Sequence, residues 1–260
     1  MSATDVVPDQ PGFVVTVADV LSPIECARLI RAIERGENGV ALLPPTAADL
    51  RPKKNEALLQ RDSCAVVDPA MCAALWARLS PALPTVRLDG RVLAPVGLVG
   101  DGRMGDATPS QLKVYRYCRG HSFGLHVDVS RKGSCPREET EYTLLIYLNS
   151  EGQPTPAASA EGGDAAGNAA SLVGGHTVFM RTAKAELCRV APVAGRALLH
   201  AHGRRCLLHE GAWSSVVPGR AWCQVPAPRR CHVRPRPLTV FFTVVVATLT
   251  VTLHDSCFRA

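Results

Sequence analysis

The sequence predicts an α+β fold in which helices support a closed or double-sheet β structure. Two stretches with helix caps and apolar residues every three to four positions lie within the first eighty residues. From about residue 111 the chain turns to short alternating or β-rich runs, and Gly/Pro turns separate them. Helices first and many short strands afterwards is an α+β order, and strands at this spacing suit a barrel or a pair of facing sheets.

The elements follow in chain order. "GFVVTVADV" reads as a strand, and "LSPIECARLIRAIERG" (21–36) as a helix. Ser22 is the N-cap, Pro23 the first helical residue, and Glu25 completes a capping box. Ile24, Leu29, Ile30 and Ile33 form its apolar stripe and Gly36 stops it. Residues 44–62 are polar and irregular. "DPAMCAALWARLS" (68–80) is a second helix, capped by Asp68 with Pro69 behind it. "QLKVYRYC", "YTLLIYLN" (142–149) and "GGHTVFM" (174–180) read as strands, and "CRVAPVAGRALLHA" (188–201) as two more around a Pro/Gly turn. Residues 150–171 are small, polar and unpatterned, as expected of a mobile surface loop. No internal repeat is visible.

Composition narrows the function. The chain carries 29 Lys+Arg against 23 Asp+Glu. Residues 1–199 hold 21 of each, so the whole excess of +6 comes from eight arginines against Glu210 and Asp255 in residues 200–260. The body is not a polycation shaped for phosphate, and a nucleic-acid partner is not expected. The ten cysteines are irregularly spaced without a CxxC, as suits reduced thiols. "MSATDVVPDQPG" has neither a basic n-region nor an apolar h-region, so a secretory signal is not expected and a cytoplasmic location is.

The chemistry concentrates in "LKVYRYCRGHSFGLHVDVS" (112–130), which is rich in aromatics and histidine in a chain only 5% aromatic. On extended backbone His126 and Asp128, two apart, share a face. Such a pair is either two legs of a metal site or a surface pair of no consequence. With a later His209, two histidines and a carboxylate match the facial set that leaves metal positions open for co-substrate and dioxygen.

These residues stand in an ordered series: Tyr117, Gly120, Phe123, His126 and Asp128, then "TLLIYLN", "GGHTVF" and "APVAGRALLHAHGRRCLLHEG". The series, over roughly residues 13–211, resembles the 2-oxoglutarate- and Fe(II)-dependent dioxygenases of the prolyl 4-hydroxylase catalytic-domain type. The resemblance implies a double-stranded β-helix (jelly-roll) core with supporting N-terminal helices. It implies iron held by His126, Asp128 and His209, with His200 and His202 as competitors for the third place. It turns Thr143, Leu145 and Tyr147 toward the co-substrate, with Tyr117 and Tyr147 among its contacts. His121 and His176 are read as ordinary polar histidines, His176 standing where the family has Glu. The resemblance implies as cofactors Fe(II), 2-oxoglutarate as co-substrate and ascorbate, and hydroxylation of a C–H bond. The substrate it implies is a peptide or protein, peptidyl proline being the family's namesake, or a small molecule, with dioxygen consumed. A non-catalytic jelly-roll binding protein and a nucleobase-oxidising oxygenase are the alternatives.

The pattern breaks near the end. The family places Lys or Arg about ten residues after the distal histidine, where this chain has Gly219 and then Arg220. Arg220 is the residue closest to that anchor, and a one-residue slip on a strand turns a side chain to the other face. Beyond it lie an Arg/Pro-rich stretch and the uncharged sixteen residues "LTVFFTVVVATLTVTL" (238–253). A strand pair, an altered C-terminus and a short membrane anchor compete for that segment. The expected organisation is thus 1–110 as support, 111–217 as the dioxygenase core and 218–260 as an atypical tail.

Overall fold

The computed structural model describes residues 3–53, 56–83, 86–88, 91–99, 111–118, 120–130, 138–152, 174–201, 203, 206–212 and 240–254. Arg220, His202 and nearly all of 150–171 lie outside the described residues.

The first helix, α1 (Pro23–Glu34), begins as its sequence dictates. Ser22 Oγ accepts from Glu25 N–H, and the Glu25 carboxylate accepts from Ser22 N–H at 2.8 Å. The buried arc is Cys26, Ile30 and Ile33, with Leu29 packed beside it, whereas Ile24 is 65% exposed. Ile24 therefore does not belong to the stripe; it points away from the arc that 26, 30 and 33 define. The second helix, α2 (Pro69–Leu79), is capped by the Asp68 carboxylate, which accepts from Met71 N–H at 2.8 Å. Arg78 on α2 reaches back to Glu25 at 2.7 Å and ties the helix ends together.

The strands are β1 (Ala3–Asp5), β2 (Val14–Val17), β3 (Leu59–Gln60), β4 (Asp62–Val67), β5 (Val86–Leu88), β6 (Arg91–Val99), β7 (Gln111–Cys118), β8 (Ser122–His126) and β9 (Glu138–Tyr147). After them come β10 (His176–Thr182), β11 (Ala185–Val190), β12 (Ala197–Ala201), β13 (Leu208–Ala212) and β14 (Val240–His254). All pairings are antiparallel. The larger sheet runs β1-β2-β12-β9-β14. On the far side of β14, its first half pairs with β7, which pairs in turn with β4, and its second half with β6, which pairs with β5. The smaller sheet runs β11-β10-β13-β8-β3.

From β7 onward the pairs nest: β7 with β14, β8 with β13, β9 with β12, β10 with β11. Eight antiparallel strands wound this way into two sheets are a jelly roll, so the fold is α+β with a double-stranded β-helix core. The apolar segment read in three ways at the C-terminus is one 15-residue strand inside the larger sheet, not a strand pair. No helix among the described residues is long and apolar enough to cross a membrane.

The outer face of the larger sheet receives both helices. Cys26, Ile30, Ile33, Cys72, Leu75 and Leu79 pack on Val114, Leu144, Ile146, Ala197 and Leu199, a cluster with every member at most 9% exposed. Burying a side chain such as Leu144 stabilises by about 1.5–3 kcal/mol. The inner face, with Tyr147 and Leu198, forms a second cluster with Phe179 of the smaller sheet. At the turn into β12, Gly195 has φ +81, and a Cβ there would stand 1.8 Å from the Leu21 carbonyl oxygen. Only glycine fits that crossing of helix entry and sheet.

Candidate metal centre

β8 and β13 are neighbours in the smaller sheet, and His126 and His209 are direct cross-strand partners. Their side chains therefore share a face, with ring centroids 4.1 Å apart. Asp128 lies two residues past the end of β8, with its carboxylate beside the pair. His126 Nε2 is 3.5 Å from Asp128 Oδ1, and His209 Nε2 is 3.9 Å from Asp128 Oδ2.

Each imidazole is oriented by a backbone carbonyl two residues before it. His126 Nδ1 lies 2.8 Å from the Gly124 oxygen and His209 Nδ1 2.9 Å from the Leu207 oxygen. A carbonyl only accepts, so the proton sits on Nδ1 and the Nε2 lone pair faces Asp128. Burial, reinforced by the neighbouring His209, pushes His126 down to about 4. Burial likewise lowers His209. Both rings are neutral at pH 7, as metal ligation requires.

Asp128 is held from all sides. Burial alone would raise its carboxyl, but His200, His209 and the Thr143 hydroxyl hold it well below the usual carboxylate range. Thr143 Oγ1, from β9 of the larger sheet, donates to Oδ2 at 2.5 Å. The Asp128 carbonyl accepts from Gly203 N–H at 2.9 Å, and its own N–H points at Cys206 Sγ at 3.1 Å. The loop before β13 thus fixes the backbone of the same aspartate whose carboxylate the larger sheet fixes.

The ligand atoms of His126, Asp128 and His209 all lie within 4.8 Å of one another. Two neutral, pre-oriented imidazoles and an ionised carboxylate fit a divalent metal of the two-histidine, one-carboxylate kind. A second group, His200, Cys206 and His209, meets the same distance limit. Burial pushes the Cys206 thiol up to about 12, so without a metal it is protonated at neutral pH.

His200 completes the surroundings. It is buried on β12 with Nε2 3.7 Å from Asp128 Oδ2 and its ring centroid 4.4 Å from that of His209. It stands beside the three rather than merely flanking the core. His176 lies elsewhere, paired with Glu151 at 3.3 Å.

The predicted co-substrate contacts lie on the inner face. Tyr147 is 1% exposed and its hydroxyl shares a 2.7 Å hydrogen bond with Thr177 Oγ1. Leu145 and Tyr117 pack against the same inner cluster, and burial raises the phenols of both tyrosines. Two residues beside the centre escaped the sequence reading. Cys206 precedes His209 by three, a spacing that drew no notice. Arg61 lies in a stretch that reads as irregular, with its guanidinium carbon 4.0 Å from the Phe123 ring centroid.

The sequence matches no protein-family model and no curated protein. Among solved structures it is similar to the viral collagen prolyl hydroxylase of Paramecium Bursaria Chlorella virus-1, at 15% identity and TM-score 0.47 over 93% of this chain and 97% of that one. A Pseudomonas putida prolyl-4-hydroxylase is similar at 14% identity and TM-score 0.45, over 93% and 92%. OsALKBH1 is similar at 9% identity and TM-score 0.47, over 90% and 96%. Likenesses this slight decide nothing about chemistry, which has to be read from the side chains described above.

Proposed function

We propose that this chain is an Fe(II)- and 2-oxoglutarate-dependent dioxygenase that hydroxylates a C–H bond. The observation that carries the reading is the convergence of His126 Nε2, His209 Nε2 and the Asp128 carboxylate, with both imidazole tautomers fixed by backbone carbonyls. Those three residues would hold the iron. When bound with 2-oxoglutarate and dioxygen, it supplies the oxidation, one oxygen atom entering the substrate while the co-substrate leaves as succinate and carbon dioxide.

The chain's own residues bind, orient and exclude water. Thr143 keeps the Asp128 carboxylate turned toward the histidines by occupying Oδ2. Phe123 stacks on His126 with centroids 3.8 Å apart and 10° between the planes, which fixes the ring and shields it from solvent. Tyr117, Leu145 and Tyr147 line the side on which the co-substrate binds, and for the cation at its far end the resemblance alone points to Arg220. Peptidyl proline is the substrate class we favour, with ascorbate keeping the iron ferrous.

The test is the release of succinate from 2-oxoglutarate by the full chain with Fe(II), ascorbate and dioxygen, with and without proline-containing peptides. Turnover that His126→Ala, Asp128→Ala and His209→Ala each abolish is the expected result. A chain that binds iron and 2-oxoglutarate but never releases succinate would be a non-catalytic binding protein instead.

A further inference from the structure

Arg61 sits where the chain leaves the smaller sheet at β3 and enters the larger at β4. Strand alternation turns the next residue, Asp62, to the side where Arg116 meets it at 2.7 Å, and turns Arg61 inward. Its guanidinium carbon lies 3.9 Å from the centroid of Tyr115, on the larger sheet, and 4.0 Å from that of Phe123, on the smaller. The rings cover the guanidinium, so its donors are free only in its own plane. Phe123 is shared: one face takes Arg61 and the other stacks on His126. The guanidinium carbon is therefore no more than about 8 Å from the His126 ring, the two stacking distances laid end to end.

Arg61 is only 9% exposed, yet Nε and NH1 have no hydrogen-bond partner among the described residues. Two aromatic faces compensate a guanidinium only in part, and buried charges are otherwise paired. The residue asks for an anion. β14, whose register sets Phe241 beside Tyr117 and Thr243 beside Tyr147, carries no lysine or arginine from Val240 to His254.

We infer that Arg61, and not the Arg220 to which the resemblance alone points, is the residue that receives the distal carboxylate of 2-oxoglutarate. For the identity of the ligand this rests on the function proposed above. A guanidinium held flat between two rings is pre-organised for a carboxylate in its plane, and the separation from His126 is comparable to the length of an extended five-carbon diacid. The alternative role is a structural wedge that only props Tyr115 and Phe123 apart.

The experiment is an anaerobic calorimetric titration of the Fe(II)-loaded full chain with 2-oxoglutarate and with 2-oxovalerate, which lacks the distal carboxylate. The unmodified chain should prefer 2-oxoglutarate by at least about 30-fold. Arg61→Met should erase that preference, raising the 2-oxoglutarate Kd by a similar factor while metal uptake and the 2-oxovalerate Kd stay put. Arg61→Lys should restore part of it. The melting temperature of the ligand-free Arg61→Met chain should not fall, because a buried guanidinium whose Nε and NH1 have no hydrogen-bond partner among the described residues has gone. Equal weakening of both ligands would make Arg61 a wedge, and an unchanged preference, or one lost instead in Arg220→Met, would overturn the inference. Those results leave the proposed function standing, whereas an unmodified chain that takes up iron but no 2-oxoglutarate sinks both.

Discussion

The two faces of the larger sheet are made by the same strands and serve opposite ends. On the outer side, Tyr142, Leu144 and Ile146 of β9 and Ala197, Leu199 and Ala201 of β12 meet the helices in an apolar cluster. On the inner side the alternate residues are Thr143, Leu145 and Tyr147, with Leu198 and His200. Thr143 and Tyr147 are buried polar residues with named partners, Asp128 and Thr177. A period of two lets one strand stabilise the fold on one side and fix a reactive carboxylate on the other. The lesson is that stability and site chemistry here should separate by the parity of residue number.

The strongest break of that separation is on the inner side. His209→Ala should take metal stoichiometry from one to none while the chain stays folded, because the remaining donors cannot close the set; equilibrium dialysis against Co(II) with a melting curve checks both halves. Next comes the outer side. Leu144→Ala should cost about 2–5 kcal/mol by urea unfolding, and the folded fraction should still bind one metal. A loss of metal affinity in Leu144→Ala would show the two faces to be coupled.

A finer probe is Thr143→Val, which keeps the shape and deletes the hydroxyl that Asp128 accepts from. Removal of such a supporting contact weakens metal affinity by about 10–100-fold. Stability should move far less than in Leu144→Ala, although the two residues are adjacent.

The smallest effect is electrostatic and lies at the helix ends. The Glu25 carboxyl is lowered to about 2, chiefly by hydrogen bonds from Arg78 and then from Ser22. Its folded-state value is depressed, so its contribution is present above the ordinary value near 4.5 and is lost as pH falls toward about 2. Glu25 is about one-third exposed, which limits the gain, and Glu25→Gln should cost about 0.5 kcal/mol at pH 7. The difference from the unmodified chain should close between pH 4.5 and 2, as urea unfolding across that window would record. Metal stoichiometry at pH 7 should be unaffected.

What could be read in the sequence follows from how local each feature is. The caps of α1 and α2 were legible in full, because Ser22, Glu25 and Asp68 act within three residues. His126, Asp128 and His209 were legible as an ordered series, and the structure brings them within 4.8 Å. Arg61 was not. It stands next to a two-residue strand whose partner, β8, lies some sixty residues on, and nothing local marks that pairing. His200 was weighed only as a rival ligand, since its position beside Asp128 depends on β12 lying in the sheet that faces β8. β14 left three readings open because a 15-residue apolar run exceeds an ordinary strand of five or six. It is long because its halves serve two neighbours, β7 and β6.

The central claim is that His126, Asp128 and His209 form one metal centre that accepts 2-oxoglutarate. The most direct measurement is an anaerobic titration of the full chain with Fe(II) and 2-oxoglutarate, followed by the metal-to-co-substrate charge-transfer absorbance. The account predicts saturation at one equivalent of iron in the unmodified chain and no band in His126→Ala, Asp128→Ala or His209→Ala. A band of full strength in any of the three variants, or none in the unmodified chain, would contradict it.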